Sequence, residues 1–323
     1  MLYKLSLLIF LFSTLGMSND SIPSRVLVSS SSHLLEVPSF GFYGHAQCDK
    51  ESNLFFHSDT TPFNHGTVLK LKSGSWDPTL FEMPQNASEK IIFEAFSVTP
   101  SGQVWEIGET TKSQFLFTFT SDGEMSSQTK LEMPGNLFVQ DFAVSDRGTS
   151  LVAGYFDSTA EAELQGKPYI ALFDHSGHLL KRFTEPFEQI DIASEARKIH
   201  PGNAVFADDG SFYLLHEQTI VVLSESGSLI HRIKFDKPDK AASPTNIAIS
   251  GGMAAIWLTY VDNKKKITQR FLVLDLQTQE PWALYTPAPE LADSGAICFS
   301  RKDGFEFYGV DSGRARLTQA ALR

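Results

Sequence analysis

A short unit recurs along this chain: a small or polar entrance residue, an apolar run, a turn closed by glycine, then a second aromatic-rich strand ending in an acid. Two copies are clearest, Asp141-Phe142-Ala143-Val144-Ser145-Asp146-Arg147-Gly148 and Asn203-Ala204-Val205-Phe206-Ala207-Asp208-Asp209-Gly210. The unit returns about every 40 to 50 residues, a period that belongs to propellers and related repeat arrays.

Six copies align on the entrance residue and the turn glycine. Blade one runs from His45 through Phe56, with Asn53 in place of glycine. Blade two has Ala95 to Val98, Gly102, then Val104 to Ile107. Blade three has Asp141 to Val144, Gly148, then Leu151 to Phe156. Blade four has Asn203 to Phe206, Gly210, then Phe212 to Leu215. Blade five has Asn246 to Ile249, Gly251-Gly252, then Ala255 to Leu258. Blade six has Ala296 to Phe299, Gly304, then Phe305 to Tyr308. Third and fourth strands follow as hairpins, for example Ile220 to Leu223 and Leu229 to Ile233 across Ser226-Gly227. Inner strands that are apolar at consecutive positions imply burial on both faces between neighbouring blades.

Blade six runs out of chain after Ala315 to Ala320 and lacks a fourth strand. Arg25-Val26-Leu27-Val28 has no other partner, so the sequence predicts that this segment closes the ring as blade six's outer strand. Closure of that kind leaves only short, protected edges. The expected fold is therefore all-β, a six-bladed β-propeller occupying residues 19–323 as one domain. A two-layer sandwich would not repeat a single four-strand unit six times. Residues 185–197 read as a short surface helix, and 158–165 as an insertion in blade three.

Composition agrees with many short strands. The chain is 42% apolar and 20% charged, with 26 Phe among 323 residues, a globular balance. Net charge is −11 and no basic cluster exceeds Lys264-Lys265-Lys266, which excludes an electrostatic footprint for nucleic acid or anionic lipid. At the N-terminus, Lys4 precedes the apolar run Leu5 to Phe12, and small residues Thr14, Gly16 and Ser18 follow. Residues 1–18 thus read as a secretory signal peptide, and the mature chain is expected in the periplasm or outside the cell without membrane insertion. Asn86-Ala87-Ser88 is a glycosylation sequon, meaningful in a eukaryotic source.

Pro201-Gly202-Asn203-Ala204-Val205-Phe206-Ala207-Asp208-Asp209-Gly210-Ser211-Phe212-Tyr213 resembles the inner hairpin of NHL-type repeats, and more broadly the six-bladed TolB-like propellers. Pro244 to Ser250 is a partial second match. The resemblance spans residues 40–321 and implies the fold; such propellers include binding scaffolds, lactonases and lyases.

Two rings of polar residues could carry function. The inner-strand entrances are His45, Ala95, Asp141, Asn203, Asn246 and Ala296, with Glu94 adjoining. Asp, Asn and Glu are the hard oxygen donors that Ca²⁺ accepts. Resemblance to propeller lactonases implies that Glu94, Asp141, Asn203 and Asn246 would hold Ca²⁺ and that His45 would act as a base. The plainer reading is that these groups face water or cap backbone.

The second ring is acidic: Asp59, Glu109, Asp157, Glu217, Asp262 and Asp311 follow the six second strands in turn, although Asp and Glu make up only 38 of 323 residues. Such acids either accept turn N–H groups or form a negative mouth that attracts cations. The two cysteines, Cys48 and Cys298, fall in the first and last blades, one position apart in the repeat frame. One can face forward and the other backward across the same blade junction, so a clasp disulfide is geometrically possible. But neighbouring sheets stack near 10 Å apart while a disulfide needs Cα atoms within about 7 Å, and two buried thiols are the expectation. The expected function is non-catalytic, binding of a ligand or protein partner at the acidic mouth. A metal-dependent lactonase-like hydrolase at the axis is the alternative.

Overall fold

The computed structural model describes residues 22–38, 46–58, 67–72, 78–84, 90–183, 203–261, 263, 266–291 and 294–322. Six antiparallel sheets radiate about one axis. Blade one is β3 (Gln47–Cys48), β4 (Leu54–Ser58), β5 (Thr67–Leu71) and β6 (Pro78–Glu82). Blade two is β7 (Ile92–Val98), β8 (Val104–Glu109), β9 (Gln114–Phe119) and β10 (Met125–Lys130); blade three is β11 (Leu137–Val144), β12 (Ser150–Phe156), β13 (Pro168–Phe173) and β14 (Leu179–Arg182). Blade four follows as β15 (Ala204–Phe206), β16 (Ser211–His216), β17 (Thr219–Ser224) and β18 (Leu229–Lys234). Blade five contains β19 (Ser243–Ser250), β20 (Met253–Val261), β21 (Ile267–Asp275) and β22 (Glu280–Pro287), and blade six β23 (Gly295–Ser300), β24 (Gly304–Asp311) and β25 (Arg314–Ala320). The tight inner turns need backbone that side chains resist. Gly148 and Gly210 both sit at φ +81°, in the left-handed region glycine enters freely.

Ring closure differs from the expected arrangement. Val26 to Val28 does not pair with residues 315–320. Instead β1 (Ser24–Leu27) adds a fifth, parallel strand to blade five, Ser24 opposite Leu284 and Leu27 opposite Pro287. The clasp is the next segment, β2 (Ser29–Pro38), antiparallel to β25 from Ser29–Ala320 to Pro38–Arg314. Its Ser29-Ser30-Ser31-Ser32 run carries no apolar signature because an outer strand faces solvent on most of its surface. The hydroxyls stitch the clasp: Ser30 Oγ donates to the Gln319 carbonyl at 2.9 Å and Ser32 Oγ lies 3.1 Å from Thr318 Oγ1. The chain crosses from blade five to blade six between these strands, which places Leu27 (fully buried) in the layer between the two blades.

Six apolar layers fill the six junctions. Between blades five and six, Trp257, Phe271 and Phe305 contact one another with centroids 4.5 to 5.8 Å apart. A buried Phe of this kind contributes about 2–3 kcal/mol, so the Phe-rich composition is what holds sheet on sheet.

The inner strands add a second kind of joint. Gln47 of blade one reaches the blade-two inner strand, its Nε2 donating to the Phe96 carbonyl (3.1 Å) and its Oε1 accepting from Val98 N–H (2.7 Å). Ser97 Oγ of blade two accepts from Val144 N–H of blade three at 3.1 Å. At the corresponding place on blade six, Cys298 forms a disulfide with Cys48 of blade one, Cα atoms 5.8 Å apart. The expectation of two thiols fails for a geometric reason. The 10 Å sheet spacing applies where blades stack face to face, but inner strands converge on the axis and approach within bridging distance.

Residues 1–21, His45, Asp59, 85–89, 185–197 and Asp262 lie outside the described residues. The signal peptide, the sequon, the surface helix and those three ring members are therefore expectations from sequence. Residues 158–165 form turns. Among the described residues no helix is long and apolar enough to cross a membrane.

Candidate functional site

Inner-strand bulges set up one mouth of the channel. In blades two, three and five the ladder slips by one residue just before the entrance position, between Phe93 and Ala95, Val139 and Asp141, and Pro244 and Asn246. A bulge re-aims the extra side chain out of the pleat. In blade two the extra residue is Glu94, whose Oε2 crosses to blade three and accepts from Val139 N–H at 3.4 Å.

Two further acids meet Glu94 there, both from the ring at the second-strand ends. Glu109 ends β8 and Asp157 directly follows β12. Burial, then the Glu109 and Asp157 charges, push the Glu94 carboxyl up to about 8, against the Val139 hydrogen bond. Burial and Asp157 likewise raise Glu109, opposed by the Asn136 amide. Asp157 is held in place: its Oδ1 accepts from Thr159 N–H (2.7 Å) and Thr159 Oγ1 (2.6 Å), and Asn136 N–H donates to Thr159 Oγ1 at 3.0 Å. Among the described residues no Lys or Arg forms an ion pair with any of the three acids. Three carboxyl groups thus crowd one junction between blades two and three, where burial and their mutual repulsion favour the protonated form of Glu94.

The rest of the acidic ring is less uniform. Glu217 follows β16 and is exposed, at φ 47°. Asp311 ends β24, is also exposed, and accepts from Ser312 Oγ at 3.1 Å with Arg316 at 3.8 Å. Asp157 and Asp311 both accept from their local turns, while Glu109 acts on Glu94.

The proposed calcium donors divide between separate partners. Asp141 is 6% exposed. Its Oδ1 accepts the Asn203 N–H of blade four at 3.2 Å, and burial pushes the carboxyl up to about 8. Asn246 turns Oδ1 onto the N–H of its neighbour Ile247 at 2.7 Å. Glu94 belongs with Glu109 and Asp157. Three of the four, Glu94, Asp141 and Asn246, thus turn to separate backbone N–H partners. Among the described residues no three His, Cys, Asp or Glu side chains form a metal-ligating group.

A cavity of about 160 Å³ occupies the channel toward the opposite mouth, where the inner hairpins turn. Asn246 lines it; Glu94, Asp141 and Asn203 do not. Sequence reasoning missed its most distinctive member, Glu306. The available signal was a lone acid between Phe305 and Phe307 in an otherwise apolar strand.

No protein-family model and no curated protein sequence matches the chain. Solved structures share its fold. A member of the DUF4221 family from Bacteroides vulgatus aligns over 92% of this chain and 98% of its own, at 8% identity and a TM-score of 0.58. A gluconolactonase from Xanthomonas campestris aligns over 93% of this chain and 95% of its own, at 12% identity and a TM-score of 0.52. At such identities the likeness is one of architecture, and function must be argued from the site.

Proposed function

We propose that this chain is an exported, TolB-like propeller that binds a positively charged ligand or protein segment at the mouth where the second strands end. The signal-like N-terminus and the Cys48–Cys298 bridge support the compartment, since disulfides persist in oxidising surroundings. One observation carries the binding reading: Glu94, Glu109 and Asp157 crowd a single junction without a cationic partner among the described residues. A ligand's ammonium or guanidinium group would relieve that like-charge repulsion and displace the Glu94 proton. The chain's net charge of −11 adds long-range attraction for such ligands.

The sign of the pH dependence follows. Free Glu94 titrates at about 8, so a cation must expel its proton below that value and need not above it. Affinity for tetralysine, measured by isothermal titration calorimetry at low salt, should rise by up to about tenfold per pH unit from pH 6 toward 8 and then level off. The Glu94→Gln, Glu109→Gln double variant should weaken binding by about tenfold or more and flatten the profile. Binding that is indifferent to both pH and the double substitution would remove this reading.

A further inference from the structure

Among the described residues, the channel cavity borders a carboxyl that accepts no hydrogen bond, that of Glu306. Glu306 stands on β24 opposite Cys298 of β23 and Gln319 of β25. Directly opposed residues project to the same face of a sheet, and Cys298 bonds to Cys48 of blade one. Glu306 therefore points into the gap between blades six and one beside the disulfide, and its side chain lines the cavity. Among the described residues no hydrogen bond reaches its carboxyl. Ile247, Ile249, Trp257, Phe299 and Phe305 give the cavity an apolar side, and Gln47, Asn246, Ser250, Ser300 and Gln319 a polar one.

Size and charge narrow the occupant. A cavity of about 150 Å³ admits benzene, so about 160 Å³ suits a body of six or seven carbons. Glu306 is half-buried; a carboxyl without a protein donor is completed by a ligand that brings one, and a cationic donor makes the stronger bond. Other charged groups on the lining are Asp49, Lys50, Asp208 and Asp303, three acids against one base. Asp49 is occupied by its own turn, accepting from Glu51 N–H, Asn53 N–H and Asn53 Nδ2. Asp303 accepts from Ser300 Oγ. Lys50 is exposed and its charge acts on Asp146. Gln319 is neutral and accepts from Ser31 Oγ at 3.4 Å.

We infer that this cavity is a second binding site, for a small monocationic amine with a compact apolar body whose ammonium group is received by Glu306. The site is independent of the acidic mouth: it lies toward the other end of the channel and shares none of Glu94, Glu109 or Asp157. Burial, with Asp303 adding to it, pushes the Glu306 carboxyl up to about 7. An amine should therefore bind more tightly as pH rises from 6 to 8, whereas its neutral isostere should not respond.

Benzylamine and benzyl alcohol are matched probes for this difference. Each is titrated into the mature protein and followed by amide chemical shifts and Trp fluorescence, at pH 6 and pH 8. The expected result is saturable benzylamine binding at pH 8, about tenfold tighter than benzyl alcohol, with shifts confined to β19, β23 and β24. Glu306→Gln should bring the two probes to equal affinity. Because the wild-type pH comparison needs no variant, the inference stays testable even if Glu306→Gln folds poorly. Equal affinity for amine and alcohol in the wild type, or no saturable amine binding, would overturn it. So would shifts clustered at Val139 and Asp157, which would assign the amine to the acidic mouth instead.

Discussion

Blade one is gripped on both sides at its inner strand, but by different chemistry. Toward blade six the joint is the Cys48–Cys298 bond; toward blade two it is Gln47 on the Phe96 and Val98 backbone. Each junction also holds a glutamate within apolar surroundings. Glu306 opens onto the channel, whereas Glu106 of β8 lies opposite Phe96 and Phe117, is 0% exposed, and has neither carboxyl oxygen bonded among the described residues. Closing a ring from two distant chain segments carries an entropic penalty that joining sequential blades does not. The covalent joint falls at the seam where that penalty is incurred, and hydrogen bonds suffice where the chain already connects the blades.

Breaking the seam should therefore have the largest effect. The bridge spans 250 residues of sequence, and removing a native disulfide that closes so long a loop costs about 4 kcal/mol. Cys298→Ser, or reduction of the wild type, should lower the melting temperature by several degrees. A variant as stable as the oxidised protein would show that β2 alone seals the ring and that the contrast between junctions is not energetic.

The blade one–two junction makes the opposite prediction. Burial, with the Glu82 charge adding to it, holds the Glu106 carboxyl well above its ordinary value near 4.5. The folded state keeps a proton that the unfolded chain releases. Stability is thus fully present below about pH 4.5 and falls as pH rises above it. Glu106→Leu, close in volume and without a buried polar group, should stabilise the fold by about 2 kcal/mol at pH 8 and by less at pH 4. Denaturant unfolding at the two pH values measures both numbers. A destabilised variant at pH 8 would mean that Glu106 has a partner and that this junction is polar by construction.

Much of this arrangement was legible because it repeats. The entrance residues and paired strands mark all six blades, and turn glycines five of them, since each junction needs the same apolar layer. What failed to read was whatever occurs once. The clasp is polar Ser29 to Ser32 because its outer face needs no apolar side chain, so pattern directed attention to Arg25 to Val28, which the fold uses as an added edge on blade five. The disulfide was hidden by applying a mid-sheet spacing to strands at the axis. At the acidic mouth, Glu109 and Asp157 were visible as ring members, but their convergence on Glu94 depends on a bulge that no residue type announces. Glu306 differs again, because its strand reads as core and only the channel beside it leaves room for a ligand.

The smallest test concerns whether the non-covalent joints matter individually. Ser97 is 3% exposed, and its Oγ accepts the Val144 N–H across the blade two–three junction. Ser97→Ala removes the acceptor and leaves a buried N–H unsatisfied, at a cost of about 1–2 kcal/mol. That is less than the disulfide because a single hydrogen bond is lost and the chain still links the two blades. Val144 ends the strand that also carries Val139, so amide exchange resolves the consequence locally: protection at Val144 should drop while the blade five–six junction is unchanged. Loss of protection around the whole ring would instead show that the inner-strand joints act as one cooperative collar, in which case covalent and hydrogen-bonded junctions differ in strength but not in kind.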